Sequence, residues 1–210
     1  MQRYHQINLS KLFFLAFFYV LFLSNEISAQ NADINLLKNI TSNRNLKYEK
    51  FQSALSFSVY PALVFTPSSF FCIGLINKDT LKINTGLCIG VGIALNTAIA
   101  VGAKYAINRN RPYVNYPEII PIEKEITPSM PSGHTASAFN VATSLTLFYP
   151  KWYVAVPAYT WATGVGYSRM YLGVHYPSDV LVGALVGSGT AWLTYYLNKK
   201  WFRHNIKQKK

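Results

Sequence analysis

Five long segments of this chain carry no charged side chain, and polar stretches separate them. They span residues 51–77, 85–103, 135–150, 152–167 and 180–197. Each is near the length that a tilted helix needs to cross a bilayer, although the third and fourth are short. We therefore predict an all-α helical bundle, an integral membrane protein with five spanning helices. A soluble helical domain with very apolar core helices is the alternative.

The first 29 residues have the features of a secretory signal peptide. Two cations, Arg3 and Lys11, flank the start of an apolar run at 12–23, and small residues follow around Ala29. This run falls short of the roughly 20 residues that span a bilayer, so we predict cleavage after Ala29. An uncleaved first transmembrane helix, giving six spans, is the alternative. Residues 31–50 are polar and of mixed charge, which indicates an exposed or interfacial helix.

The composition agrees with a single membrane-embedded domain. Of the 210 residues, 50% are hydrophobic and 13% are charged, and the net charge is +12. Six of the 20 Lys and Arg residues lie at positions 199–210, directly after an apolar segment. We interpret this segment as a basic cytoplasmic tail and residues 30–198 as the helical domain, and we do not expect nucleic-acid binding. Cys72 and Cys88 fit neither a metal site nor a disulfide framework, so we expect both to be buried.

The basic residues also predict an orientation. If the chain alternates sides from an external residue 31, then Lys78, Lys82 and Lys151 lie with the basic tail on the cytoplasmic side, in agreement with the positive-inside rule. The same alternation places residues 104–134 and 168–179 on the outer face. Those two stretches contain every polar cluster with catalytic potential.

Three polar clusters border the apolar segments. Each has an ordinary structural explanation: cations at a helix end, a serine N-cap, and a carboxylate in a first helical turn. Together they supply three cations, an anion-binding helix start, two imidazoles and a carboxylate able to orient one imidazole. Their members are Lys104, Arg111 and Pro112; Ser132, Gly133 and His134; and Ser168, Arg169, His175 and Asp179.

Charge is rare around these clusters, which favours a chemical role. Between residues 126 and 198 the charged side chains are Lys151, Arg169 and Asp179, and charge in apolar surroundings is costly. The inventory suits displacement at phosphorus, which needs cations for the phosphate oxygens, a nucleophile, and an acid for the leaving group. Asp179 is the one acidic residue after Glu125, so we predict no metal site and no cofactor.

The three clusters resemble the signature motifs of the phosphatidic acid phosphatase type 2 superfamily. Residue type, spacing and order agree at residues 104–112, 131–134 and 168–179, whereas the N-terminal half agrees only in hydropathy. That superfamily includes membrane lipid phosphatases, soluble bacterial acid phosphatases and vanadium haloperoxidases. Three motifs with fixed internal spacing are a strong signal.

The resemblance implies a role for each residue. His175 attacks phosphorus while Asp179 holds its other ring nitrogen, and a phosphohistidine intermediate forms. His134 protonates the leaving group and then helps to activate water. Four side chains and one backbone N–H bind the phosphate oxygens. These belong to Lys104, Arg111, Ser132 and Arg169, and to Gly133.

The resemblance also implies a metal-independent phosphatase that hydrolyses a lipid phosphate or diphosphate monoester at the outer, periplasmic face of the bacterial inner membrane. A phosphorylated lipid and the bilayer are its expected partners, and no obligate protein partner is evident. The first alternative is a soluble periplasmic acid phosphatase of broad specificity. A vanadate-dependent haloperoxidase and a non-catalytic lipid-headgroup binder are less favoured. The polar stretch 113–130 is a candidate lid over the site.

Overall fold

The structure, a computed structural model, describes residues 27–208. It forms helices α1 (Ile27–Ser42), α2 (Leu46–Phe57), α3 (Val59–Ile76), α4 (Thr80–Ile107), α5 (Pro112–Asn115), α6 (Gly133–Phe148), α7 (Trp152–Tyr171) and α8 (Pro177–Gln208). No strand occurs within these residues, which confirms the predicted all-α fold for the described part of the chain. The predicted signal sequence lies at residues 1–29, and positions 1–26 are outside the described residues.

Side-chain caps and a left-handed residue determine the bounds of α4. The Asp79 carboxylate accepts hydrogen bonds from the backbone N–H groups of Leu81 and Lys82, at 3.0 and 3.2 Å, and so caps the helix start. At the other end Asn108 has φ 48°, and its N–H donates to the Lys104 carbonyl at 2.8 Å. This residue stops the helix, so Lys104 remains on its last turn while Arg111 follows in the loop.

Three helical segments in the described part of the chain are long and apolar enough to cross a membrane. They are Lys47–Ile76, Thr80–Asn115 and Pro177–Trp201. Helix α6 has 16 residues, fewer than the roughly 20 that span a bilayer. Helix α7 has 20 residues but is less apolar. Three of the five predicted spans are therefore supported, and the total number stays a prediction.

The outer faces of α2, α3 and α4 expose large apolar side chains. Phe57, Phe65 and Val91 are each more than half exposed, as expected for helices that face lipid. Cys88 is buried, but Cys72 lies exposed on α3, so the expectation that both cysteines are buried is wrong for Cys72. A lipid-facing position is as apolar as a core position, and the neighbouring residues in the sequence do not distinguish the two.

Glycines allow α6 and α8 to pack with their backbones in contact. A Cβ at Gly187 would lie 2.0 Å from the Ala136 carbonyl oxygen, and one at Gly183 would lie 2.7 Å from that of Ser132. Both glycines therefore let the two helices approach closely. Gly189 has no atom within 4 Å of its Cβ position, so it does not contribute. The close approach brings the first turns of α6 and α8 together.

Helix α1 packs against the end of the bundle at which α8 begins. Ile34 and Leu37 are buried in a cluster with Ile119 and Tyr176, while most of the other α1 residues are exposed or half-buried. The helix is thus partly exposed, as predicted, but one of its faces covers the segment that leads into α8. The sequence did not indicate this contact.

Candidate active site

The three predicted clusters meet at one end of the bundle. Backbone hydrogen bonds join the segments that carry these clusters. The Ser132 N–H, at the start of α6, donates to the Asp179 carbonyl, at the start of α8, at 3.0 Å. The N–H of Ser129 donates to the Arg109 carbonyl at 2.8 Å. Charged side chains are buried at this junction, and Arg169 and Asp179 are both 0% exposed. Burial of so much charge requires close compensation between the groups.

His175 and Asp179 face each other across one turn at the start of α8. The Asp179 Oδ2 atom lies 3.5 Å from His175 Nδ1, at the limit of hydrogen-bond distance, and 2.5 Å from the Ser129 hydroxyl that donates to it. On the other side of the ring, His175 Nε2 lies 3.4 Å from Arg111 Nη1. A ring that donates from Nδ1 to Asp179 has its lone pair on Nε2, pointing toward the cations.

Burial keeps His175 neutral. Burial lowers the pKa of its imidazole, hydrogen bonding to Asp179 opposes this, and the resulting pKa is about 4. The nearby charges of Arg111 and Arg169 also disfavour the protonated ring. At neutral pH the ring is therefore uncharged and able to act as a nucleophile.

Arg111 and Arg169 hold an internal anion, the carboxylate of Glu125. Arg111 Nη2 donates to Glu125 Oε2 at 2.5 Å, and Arg169 Nη2 donates to the other oxygen, Oε1. Arg111 is held in place by the carbonyls of Thr127 and Val174, at 2.7 and 2.9 Å. Two guanidinium groups that share one carboxylate form a site shaped for an oxyanion.

The ionised state of Glu125 follows from this pairing. Burial raises the pKa of the carboxyl group, but the positive charge of Arg169 and the further charges around it outweigh burial and lower the pKa to about 2. Glu125 is therefore charged at neutral pH. The sequence placed it in the candidate lid at 113–130 without a role. The sequence signal that could have identified Glu125 is its position as the last acidic residue before Asp179.

Lys104 and the start of α6 complete the cationic side of the site. Lys104 Nζ donates to the Pro128 carbonyl at 2.5 Å, and its Cε lies 3.9 Å from the Cβ position of Gly133. Ser132 is the N-cap residue of α6, as predicted, but its side chain makes no capping hydrogen bond and instead accepts from Thr135 Oγ1 at 2.9 Å. The side chain does not occupy the N–H groups of the first turn, which suit an anion.

His134 lies on the first turn of α6, beside a lipid-exposed helix. Its ring contacts that of Tyr60 edge-to-face, with centroids 5.3 Å apart. It is also close enough to Arg169, Glu125 and Lys104 for their charges to act on it. The second imidazole thus borders both the cationic site and the outer surface of α3.

The structure brings all eight predicted site residues to one region. These are Lys104, Arg111, Ser132, Gly133, His134, Arg169, His175 and Asp179. Sequence reasoning missed three polar contributors: Glu125, Ser129 and Arg109. Ser129 and Arg109 both donate hydrogen bonds to Asp179. Neither belongs to the residues that define the motifs, and the folded chain alone brings them to Asp179.

Relatives of this chain align with a little more than half of its sequence. A lipid A 4'-phosphatase of Bacteroides thetaiotaomicron is 30% identical over 125 residues, which cover 54% of this chain and 56% of that protein. An undecaprenyl-diphosphatase of Sulfolobus acidocaldarius is 38% identical over 122 residues, covering 57% of each chain. The matched segment thus spans little more than half of either relative.

Solved structures match over a larger share of the fold. A transmembrane PAP2-type phosphatidylglycerolphosphate phosphatase of Bacillus subtilis superposes with a TM-score of 0.69 at 25% identity, covering 89% of this chain and 94% of that one. LpxE of Aquifex aeolicus gives a TM-score of 0.66 at 25% identity, covering 78% of this chain and 94% of that one.

The family follows from the motifs, the convergence of their residues and these matches. Residues 85–203 match the PAP2 superfamily, and this segment contains all three clusters. The chain is therefore a member of the PAP2 superfamily.

Proposed function

We propose that this protein is an integral membrane phosphatase that removes a phosphate group from a lipid phosphate or diphosphate through a phosphohistidine intermediate, without a metal ion. The observation that carries the proposal is the position of the Glu125 carboxylate. A carboxylate held between Arg111 and Arg169 marks where an anion is stabilised, next to the neutral ring of His175. In the reacting complex, the substrate phosphate takes this place.

In the first step, the Nε2 lone pair of His175 attacks phosphorus and the bond from phosphorus to the lipid oxygen breaks. The ring becomes positively charged, and Asp179 stabilises this charge through the Nδ1–H bond. The phosphate oxygens are held by Lys104, Arg111 and Arg169 and by the N-terminal N–H groups of α6. The departing oxygen takes a proton from His134.

In the second step, water hydrolyses the phosphohistidine. His134, now neutral, accepts a proton from water as the water oxygen attacks phosphorus, and the bond from phosphorus to Nε2 breaks. Inorganic phosphate leaves and His175 returns to its neutral form. The two histidines require opposite protonation states at the start of the cycle, so the rate is expected to show a bell-shaped dependence on pH.

We assign the site to the outer face of the inner membrane. The connections at residues 77–79 and 149–151 lie at the ends of α4, α6 and α7 opposite the site, and they carry Lys78 and Lys151. By the positive-inside rule these ends face the cytoplasm, together with the basic tail. In this arrangement α2 with α3, then α4, α6, α7 and α8, make the five crossings, and α1 lies on the outer surface.

The substrate lipid enters from the bilayer past Tyr60. This residue is 52% exposed on α3, and its ring contacts His134, the acid on the leaving-group side. Phe57 lies beside it with a ring centroid distance of 5.4 Å. An apolar path to the leaving-group side suits a substrate whose chains remain in the membrane.

The proposal is tested with full-length protein purified in detergent. A panel of lipid phosphates and diphosphates is assayed for released phosphate in the presence of a chelator, and denatured samples are examined for acid-labile phosphohistidine. We expect phosphate release from at least one lipid, and a phosphoenzyme that is absent from the His175→Ala variant. Failure to release phosphate from any lipid, or a phosphoenzyme in that variant, contradicts the proposal.

A matched pair of variants tests the lipid path. Tyr60→Ala is expected to raise KM for the lipid several-fold, because part of the apolar entrance is lost, and to change the hydrolysis of p-nitrophenyl phosphate less, because this small substrate does not use the entrance. Tyr153, 61% exposed at the start of α7, lies at the opposite end of the helices. Tyr153→Ala should change neither activity. Equal effects of Tyr60→Ala on both substrates contradict lateral entry.

A further inference from the structure

Groups other than His175 also hold the carboxylate of Asp179. Its Oδ2 atom accepts hydrogen bonds from the Ser129 hydroxyl at 2.5 Å and from the Tyr176 N–H at 2.9 Å. The other oxygen, Oδ1, accepts from Arg109 Nη1 at 2.6 Å. The carboxylate is 0% exposed. Both of its oxygens are thus fixed, and Oδ2 is the one that faces His175 Nδ1.

Arg109 connects Asp179 to a second carboxylate. Its Nη2 atom donates to Asp33 Oδ2 at 2.7 Å, while Nη1 also donates to the Ser178 hydroxyl at 2.7 Å. The guanidinium carbon lies 3.9 Å from the centroid of the Tyr176 ring. A planar group that bridges two carboxylates and stacks on a ring has little freedom to move.

Asp33 in turn fixes the start of α8. It lies on α1, and its Oδ1 accepts from the Ser178 N–H at 2.8 Å, while Oδ2 accepts from the Ser178 hydroxyl at 2.5 Å. A carboxylate at this position satisfies an N–H of the first turn and interacts favourably with the helix dipole. Asp179 is the next residue of that turn. The position of α1 is secured by the buried Ile34 and Leu37.

We propose that Asp33 and Arg109 are positioning residues for the catalytic pair of Asp179 and His175. Helix α1, which precedes the region matched to the family at residues 85–203, is then part of the catalytic apparatus. The proposal rests on the proposed phosphatase function. Arg109 acts through Asp179, and Asp33 acts through Arg109 and through the first turn of α8.

The geometry gives Arg109 a further, electrostatic effect. Its positive charge offsets part of the negative charge of Asp179, so His175 experiences less stabilisation of its protonated form. Removal of Arg109 should therefore raise the pKa of His175. The resting enzyme needs this ring neutral, so the acid limb of the rate profile should move to higher pH. Other groups also act on the ring from neighbouring segments: Arg111, Glu125, Ser129, His134 and Arg169.

The test compares Arg109→Met, Arg109→Lys and Asp33→Asn in the full-length protein. Arg109→Met is expected to lower kcat by roughly 10- to 100-fold, with KM within about two-fold, because the nucleophile is misplaced while the cationic cradle is kept. The acid limb of kcat/KM should move up by roughly half a pH unit to one unit. Arg109→Lys should restore part of kcat, since a single ammonium group keeps the charge but not the fork. Asp33→Asn should give a smaller loss of kcat without the upward shift of the acid limb, because this variant removes a negative charge rather than a positive one.

A matched control removes another ion pair of α1. Lys38 and Glu118 form a 2.8 Å pair, with side chains 42% and 55% exposed, and this pair does not contact Asp179. Lys38→Met should leave kcat and the pH profile unchanged. A loss of activity that follows only the loss of folded protein, with an unshifted acid limb, would assign Arg109 a purely structural role and overturn the proposal.

A second measurement separates this proposal from the phosphatase assignment. The His175 ring is titrated by NMR with ¹⁵N-labelled histidine, using the His175→Ala protein for assignment. A raised pKa of His175 in Arg109→Met supports the coupling even if the wild type releases no phosphate. An unchanged pKa together with wild-type kcat refutes the coupling while the phosphatase function stands.

Discussion

Two buried polar clusters involve α4, α6 and α8, and they differ in charge. At the end of these helices that holds the site, guanidinium, carboxylate and imidazole groups come together, and α7 and the connecting segments supply several of them, namely Arg169, Arg111, Glu125 and His175. Further along the same helices, Asn96, Asn140 and Thr190 form a neutral cluster. Asn140 Nδ2 donates to Thr190 Oγ1 at 2.9 Å and to the Gly92 and Gly187 carbonyls, each at 3.3 Å.

The difference shows which buried polar groups serve the fold and which serve the reaction. The neutral cluster uses side-chain donors on backbone carbonyls of neighbouring helices, an arrangement that links helices in a membrane. The site instead holds the guanidinium groups of Arg111 and Arg169 around the carboxylate of Glu125. Among the described residues, each cluster has a buried atom without a hydrogen-bond partner: the donor Arg169 Nε in the site and the acceptor Asn140 Oδ1 in the neutral cluster. Unpaired donors of this kind are costly for stability but suited to a phosphate. Variants in the site should therefore mainly lower activity, whereas variants in the neutral cluster should mainly lower stability.

The largest effect is expected at His175. His175→Ala should lower turnover by more than about 1,000-fold, because the nucleophile is lost, while the folded fraction in detergent stays near that of the wild type. Phosphate release and thermal unfolding are measured on the same preparation. Turnover within about ten-fold of the wild type would remove His175 from the nucleophile role.

Arg169→Lys should have the next largest effect, a loss of roughly 100-fold in kcat/KM. The planar fork that contacts Glu125 and the Ser56 hydroxyl becomes a point charge and loses bidentate contact with phosphate. Arg44 serves as the control, because it donates to the Ile120 carbonyl at 2.6 Å outside the cradle. Arg44→Lys should keep activity within about two-fold. A mild Arg169→Lys phenotype would indicate that charge alone suffices.

Glu125→Gln should act in opposite directions on binding and on stability. Without its charge the side chain competes less with an oxyanion, so inhibition by orthovanadate should become roughly three- to ten-fold tighter. Because the folded-state pKa of Glu125 is lowered to about 2, its pairing stabilises the fold above the unfolded pKa near 4.5. That contribution is lost as the pH falls from about 4.5 towards 2.

The neighbouring glutamate is the control for this experiment. Glu123 lies 3.6 Å from Arg169 and is 44% exposed, so Glu123→Gln should change vanadate inhibition less. The Tm of the wild type should fall as the pH is lowered from about 4.5 towards 2. The Tm of Glu125→Gln should fall less over the same range. Weaker vanadate inhibition in Glu125→Gln would contradict a competing role for this carboxylate.

The smallest effect on activity is expected in the neutral cluster. Asn140→Ala should lower stability by about 1–3 kcal/mol, because the hydrogen-bonding contacts of Nδ2 with neighbouring helices are lost and a cavity remains, with kcat within about two-fold. Thr97→Ala is the control, since its hydroxyl donates to the Ile93 carbonyl of its own helix on an exposed face. If Asn140→Ala loses more activity than folded protein, the neutral cluster also contributes to the reaction, which contradicts the separation of the two clusters.

The sequence predicted which residues converge at one end of the bundle better than it predicted the groups around them. Motif spacing identified His175 and Asp179 because both residues lie within one turn, and periodic apolar segments identified the helices. Glu125 and Asp33 were not predicted to take part, because their contacts depend on how a loop and an N-terminal helix pack onto the bundle. Such contacts leave no local pattern. Exposure of Cys72 was missed for a related reason, since apolar character does not distinguish lipid from core.

The glycine contact between α6 and α8 has a consequence for how the proposed phosphatase can change its substrate. His134 lies on the first turn of α6 and His175 directly precedes α8, and the separation of these two helices is fixed by main-chain atoms at Gly183 and Gly187 rather than by interlocking side chains. Side chains on the lipid-facing surfaces of α2, α3 and α4 can then vary without altering the distance between the two rings. Under the proposed function, specificity for the lipid can diverge while the reaction geometry stays constant.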